Sequence, residues 1–256
     1  MSERKPYPSD LSDARWALIE PTLTAWRKAR LERRPTGQPA KVELRDVFDA
    51  LLYINRTGIP WKYLPHDFPG HGTVYFYYAA WRDEGILAQL NYDLTGLARV
   101  KDGRKPEPTA SVIDIQSVKA STKVPLTSQG LLVMVTAASV SDNEAGKQLL
   151  SRIAADHPTI TKAWVDTGHK TQAIEHGATL GIDVDVVPRN TQIKGFSVVP
   201  RRWVVERSFG WIMMHRRLAR DYETKPAHSE SMIRLAMISN LARRATGETP
   251  ITWHNP

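Results

Sequence analysis

Apolar positions recur at three- and four-residue intervals through the first hundred residues, then give way to shorter runs separated by polar turns. In "SDARWALIEPTL", Ser12 stands as an N-cap before Trp16, Ile19 and Leu23 at helical spacing. "RKARLERRPTGQPAK" breaks the pattern with charge, Pro35, Gly37 and Pro39, which is loop chemistry. "VELRDVFDALLYINRTG" resumes it, with Leu44, Val47, Phe48, Leu51, Leu52 and Ile54 on one face and Gly58 as the stop. A Pro/Gly loop, "IPWKYLPHDFPGHG", precedes a third helical region, "TVYFYYAAWRDEGILAQLNYDL". Helices and a compact loop, with Tyr75, Tyr77, Tyr78, Trp81 and Arg82 on the third region, suit a helix-turn-helix type module. The same aromatic stripe also reads as helix-packing core.

The charged, proline-containing segment "ARVKDGRKPEPTAS", residues 98–111, marks a boundary between a helical domain, 1–100, and a second domain, 101–256. Beyond it, "SVIDIQSV" alternates like a strand and "LLVMVTAASV" is a buried-strand run. "DNEAGKQLLSRIAADHP" is helical with Asp142 as candidate N-cap, "ITKAWVD" a strand, "TQAIEHGATLG" a helix and "IDVDVVP" a fifth element. Two long helices follow, from about Arg202 to Tyr222 and from Ser229 to Arg244. Strands alternating with helices indicate an α/β domain.

Charge then narrows the function. The formal net charge of +8 favours a polyanionic partner, nucleic acid before an anionic membrane surface. The absence of cysteine excludes disulfides, zinc–thiolate sites and cysteine nucleophiles, and allows a reducing interior. The opening "MSERKPYPSD" lacks a signal-type apolar segment, and the longest apolar run is too short to span a bilayer. A soluble intracellular protein is expected. No G-x-S-x-G elbow, P-loop or H-E-x-x-H is present, and the histidines are scattered, with His169 three residues after Asp166.

The candidate chemistry lies in carboxylates at apolar places. Asp114 in "SVIDIQSV" and Asp166 in "AWVDTGHK" sit in or at the end of strands. Such a charge is costly unless paired, hydrogen-bonded or bound to a cation. An arginine partner or a helix cap would explain either one alone. Glu206 is the lone acid in "PRRWVVERSFGW", with Gly210 leaving a gap one turn on; residues 201–220 hold six arginines against this one glutamate, a surface that attracts phosphates. A salt-bridged helix face explains those charges but not the two strand aspartates. Three oxygen ligands without cysteine suit Mg²⁺ or Mn²⁺ rather than zinc. Two such ions ~3.5–4 Å apart support in-line displacement at phosphorus.

At these residues the chain resembles the DDE transposases of bacterial insertion sequences. "VIDIQSVKAS" and "WVDTGHK" resemble the two aspartate strands, and "PRRWVVERSFGWIMMHRRLARDYE" the glutamate helix. "SDARWALIEPTL" and "DALLYINRTGIPWKYLPHDFPGHGTVYFYYAAWRDEGIL" resemble the family's N-terminal helical domain. The resemblance implies an RNase H-like mixed sheet with flanking helices, preceded by an all-α helix-turn-helix-like domain that binds DNA. It implies Asp114, Asp166 and Glu206 as catalytic metal ligands for Mg²⁺ or Mn²⁺. Arg202, in the family's Arg-x-x-x-Glu signature, orients Glu206 or a phosphate, and Arg207, Arg216, Arg217, Arg220 and Arg82 are further DNA contacts. The activity implied is hydrolysis at element ends and strand transfer into target DNA. A homo-oligomer on terminal inverted repeats is implied too, in the bacterial cytoplasm at the nucleoid.

One departure stands out. Relatives carry another strand before the one at "LLVMVT", whereas here Lys119 reaches Leu131 through only "ASTKVPLTSQG". Without that strand, the segments around Asp114 and Val133 would pair antiparallel, since a parallel pair needs a crossover of about a dozen residues. A shift of Asp114 by ~1 Å costs about 10²-fold in rate. The alternative expectation is therefore an internally deleted, catalytically impaired copy that only binds DNA.

Overall fold

The structure is a computed structural model that describes residues 4–33, 42–113, 116–117, 127–128, 134, 141–165, 171–187 and 203–249, with 116–117, 127–128, 142 and 203–206 described in backbone alone. Two compact units emerge, one of Met1–Arg104, Met213–Ala219 and Ser231–Pro256, the other of Lys105–Ile212 and Arg220–Glu230. The chain is mostly helical, with a small parallel sheet, and is of the α/β class.

The first unit is built on α1 (Asp13–Arg33), α2 (Leu44–Thr57), a 3₁₀ turn at Trp61–Tyr63, α3 (His71–Asp83), α4 (Ile86–Lys101) and a second 3₁₀ turn at Arg216–Leu218. Most of the last helix, α8 (Pro226–Thr246), completes it. Ser12 caps α1 as the sequence predicts, its Oγ accepting the Arg15 N–H at 3.2 Å. The apolar face of α2 is wholly buried, from Leu44 to Ile54. Gly58 ends that helix at φ 75°, its N–H donating to the Ile54 carbonyl at 2.9 Å. Of the aromatic stripe, Tyr77, Tyr78 and Trp81 are core, and Trp81 packs on Trp26 and Phe48 with centroids 5.9 Å away in each case. Tyr75 stays 40% exposed.

Three local expectations are corrected here. The charged run from Arg27 is not loop before residue 34, because α1 continues to Arg33. Its arginines have partners: Arg27 donates to the Val42 carbonyl at 2.6 Å, and Arg30 and Arg33 pair with Glu84. The third helical region is two helices, broken where Gly85 adopts φ 75°. The helix expected from about Arg202 to Tyr222 ends at Met213 as α7 (Trp203–Met213). There the Met214 carbonyl accepts from Arg56 Nη1, and Arg217 Nη1 donates to the Ile59 carbonyl at 3.1 Å. These long-range bonds, together with a Gly58 that admits the Arg216 backbone, outweigh helix continuation; a Cβ at residue 58 would stand 3.2 Å from Arg216 carbon atoms.

In the second unit, β1 (Ala110–Val112), β4 (Lys162–Val165) and β5 (Asp183–Val186) form a parallel sheet in the order β1-β4-β5. Its registers are Val112↔Trp164 and Trp164↔Asp185. Antiparallel pairing between labelled strands is confined, among the described residues, to a ribbon of β2 (Gln116–Ser117) with β3 (Thr127–Ser128). Helices α5 (Asp142–Asp156) and α6 (Thr171–Thr179) cover one face, burying Leu149, Leu150 and Ile153 against Ala163, Val165 and Val184. The N-cap of α5 is Ser141, one residue before the predicted Asp142; its Oγ accepts from the Glu144 N–H at 3.3 Å. Of the "LLVMVTAASV" run only Met134 is described, and it is buried beside Ile113 in this core.

Gly177 lets α6 settle on β5. A Cβ there would lie 2.3 Å from Val184 Cγ2 and 3.0 Å from the Ile182 carbonyl oxygen. Gly177→Ala gains about 1 kcal/mol of helix propensity but overpacks this contact at ~1–3 kcal/mol. Urea denaturation is expected to show net destabilisation, and a stabilised variant would contradict the packing account.

Asp49, on α2, is 3% exposed and accepts the Leu11 N–H at 2.9 Å. Burial raises its pKa from 3.8 to about 7, outweighing the Leu11 bond and the charges of Arg45 and Arg4. The folded state therefore holds a proton that the unfolded chain has released, and stability falls as pH rises between about 4 and about 7. The steepest slope approaches ~1.4 kcal/mol per pH unit. Asp49→Asn keeps an oxygen for Leu11 and removes that slope, as equilibrium unfolding at stepped pH will report.

Candidate active site

Parallel pairing sets β1 and β4, the strands that precede Asp114 and Asp166 in the chain, side by side. Trp164 O accepts the Ile113 N–H at 2.7 Å, carrying the β1–β4 ladder one step past Val112. Ile113 and Val165, each 2% exposed, are the last described residues of these adjacent segments. Asp114 and Asp166 follow them directly in the chain and lie outside the described residues, as does Arg202. Glu206 falls in the first turn of α7, where the backbone is helical. Among the described residues no group of three or more His, Cys, Asp or Glu is placed to hold a metal ion.

The arginines selected from the sequence divide by environment. Arg207, Arg216 and Arg220 are exposed. The Arg207 guanidinium lies over the Trp211 ring at 4.9 Å, one turn along α7. Arg217 is 7% exposed, bonded to the Ile59 carbonyl and set over the Trp61 ring at 5.7 Å, so it locks the 3₁₀ turn onto the end of α2. Arg82 forks onto Asp83, Nε to Oδ1 at 2.7 Å and Nη2 to Oδ2 at 2.9 Å; the hydrogen bond raises its already high pKa.

The sequence reading passes over Asp221 and Glu223. Both are buried, and Asp221 accepts from Ser229 Oγ at 2.9 Å and from the Glu223 N–H at 2.9 Å, tying the chain to the start of α8. An acidic D-Y-E run just before a proline-led helix is the signal that would have marked them. Arg56 and Arg243 also escape notice, because their significance lies in neighbours far along the chain. Among the described residues no helix is long and apolar enough to cross a membrane.

The described residues thus give a small parallel α/β unit whose paired strands run toward Asp114 and Asp166 in the chain, and a helical unit that precedes most of it in sequence. Comparison with known families narrows this. The family described as "Putative transposase of IS4/5 family" matches residues 11–91, and the family described as "Transposase DDE domain" matches residues 103–241. The second match covers more than half of the chain, which therefore belongs to the DDE transposases of insertion sequences. No curated protein and no solved structure matches the chain.

The two neighbouring arginines should separate cleanly by mutation. Arg217→Ala, losing a buried bond to a carbonyl, is expected to cost about 1–3 kcal/mol. Arg216→Ala is expected within about 0.5 kcal/mol of the parent. Chemical denaturation of both variants checks this, and equal losses would refute the division.

Proposed function

We propose that the chain is a DNA transposase that cleaves at the ends of its insertion sequence and transfers the freed strand into target DNA. The second unit is then the catalytic, RNase H-like part and the first the DNA-binding part. The observation that carries this reading is the parallel register of β1 and β4. Chain continuity allows Asp114 and Asp166 only one Cα step, ~3.8 Å, beyond neighbouring residues on strands ~4.8 Å apart. Two carboxylates that directly follow paired strand ends in the chain suit a shared hard cation.

Asp114, Asp166 and Glu206 are an all-oxygen donor set, which fits Mg²⁺ or Mn²⁺. When bound, such ions supply an activated oxygen nucleophile and neutralise charge on the leaving oxygen. Asp114 and Asp166 offer carboxylate oxygens from the strand ends and Glu206 from the first turn of α7. Arg202, one turn ahead of Glu206 in sequence, orients that carboxylate or a phosphate. Arg207, Arg216 and Arg220 face solvent and suit backbone phosphates. Arg82 and Arg217, engaged as they are, contribute to DNA binding by shaping the helical unit. The protein works as a homo-oligomer on paired terminal inverted repeats, in the cytoplasm at the nucleoid.

A second reading has its own support. Gln116–Ser117 pair antiparallel with Thr127–Ser128 in the β2–β3 ribbon. The segment from Lys119 to Leu131 is short, and Thr127–Ser128 within it form a two-residue strand only; a shortened domain of this kind is what an impaired copy that binds DNA without cutting it would have.

Strand cleavage and transfer on the cognate terminal repeats separate the two. On the first reading, Mg²⁺ or Mn²⁺ supports turnover. Removing a ligand that supplies several kcal/mol of transition-state stabilisation, as in Asp166→Ala or Glu206→Gln, lowers it at least ~10³-fold. DNA binding without cleavage, and without a calorimetric Mg²⁺ site dependent on Asp166, establishes the remnant instead.

A further inference from the structure

The helical unit contains a cluster of cations that its own carboxylates do not balance. Arg56 at the end of α2 and Arg243 near the end of α8 stand near His215; Arg216, the next residue in the chain, lies near Arg56, and Arg15 on α1 lies near Arg243. Arg15 and Arg243 share Glu248, Arg15 Nε standing 2.9 Å from its Oε2 and Arg243 Nη1 3.8 Å from the same oxygen, and Asp49 is a second carboxylate near Arg15. Arg56 and Arg216 have no carboxylate partner among the described residues; Arg56 donates to the Met214 carbonyl, and Arg216 is exposed. Polar atoms are left over as well, among them the donors Arg15 Nη1 and Arg243 Nε. Arg15 Nη1, Arg243 Nε and both ring nitrogens of His215 are buried without a hydrogen-bond partner among the described residues, and His215 is 2% exposed.

This arrangement costs folding stability. Burial lowers the pKa of Arg15, Arg56 and Arg243, and Arg243 lowers those of Arg15 and Arg56 further. Burial first, then Arg56 and Arg243, push His215 down to about 3, so its imidazole stays neutral and adds no charge. Like charges gathered with unmet donors are the pattern expected where a ligand supplies the missing acceptors. An oxyanion with several acceptor oxygens answers both deficits, and the fork geometry of arginine suits phosphate.

We propose that Arg56, Arg216 and Arg243 form a phosphate-binding corner of the helical unit that grips a nucleic-acid backbone. The inference rests on the reading of this chain as a DNA-binding transposase and adds a site away from the carboxylates. Arg216 is its solvent-facing member, Arg56 and Arg243 stand behind it, and His215 fills the interior as an apolar-sized, uncharged spacer. Contact with phosphate alone gives affinity without sequence preference.

The test uses the full chain and DNA duplexes of unrelated sequence, with affinity measured across a salt series. Arg216→Gln, Arg243→Gln and the double variant are each expected to weaken all duplexes alike. Each arginine removed should reduce the slope of log K against log salt by about 1. Arg216→Gln alone keeps the test decisive if Arg243→Gln fails to fold, since Arg216 is exposed and has no ion-pair partner among the described residues. Parental binding with slopes unchanged in the variants overturns the corner and leaves the DNA-binding reading intact. No duplex binding by the parent even at low salt overturns both. Thermal stabilisation by inorganic phosphate at matched ionic strength, lost in the double variant while duplex affinity is unchanged, would assign the corner to free phosphate instead.

Discussion

The bond from the Ile113 N–H to the Trp164 carbonyl, 2.7 Å long, holds β1 against β4 at the point where both strands approach their aspartates. Parallel strands cannot be joined by a tight turn, so this pairing requires a long connection, and α5 lies within it. The core of Leu149, Leu150 and Ile153 against Ala163 and Val165 fixes the register. A slip by one residue would turn Val165 outward and move the strand ends out of step. The candidate catalytic chemistry therefore depends on apolar packing beneath it. Ser141 at the start of α5 and the close approach of Gly177 to Val184 serve the same end.

The helical unit is governed by electrostatics as much as by burial. Its aromatic and aliphatic core is dense, yet Asp49 and His215 are buried within it along with the stem of Arg15. Arg217 and Arg216 are adjacent in sequence and opposite in role. One closes the interior by bonding a carbonyl at the end of α2, and the other faces water. A stretch rich in arginine is thus not a uniform DNA-facing surface. Some of its charges hold the fold so that others can be presented.

Much of this was legible beforehand. The face of α2, its stop at Gly58 and the Ser12 cap all arise from interactions within a few residues, and periodicity reports those directly. The charged run at Arg27 was misread because its helix is held by Val42 and Glu84, which the local pattern cannot contain. The break at Gly85 was concealed by apolar residues continuing on both sides of it. The three candidate carboxylates rest on resemblance and on the cost of burying charge.

Sequence alone determined the class of the protein. The spacing of apolar residues sets which helices and strands form, and the motifs around Asp114, Asp166 and Glu206 mark a DDE transposase. Tertiary structure decided where α7 ends and which stretches join the helical unit, for Arg56 meets Met214 and Arg217 meets Ile59 across 158 positions of chain. It also decided which arginines are spent on the fold and which gather without counter-charge. Burial and the sharing of one carboxylate are properties of three-dimensional neighbours, and residues so far apart carry no trace of them in their order.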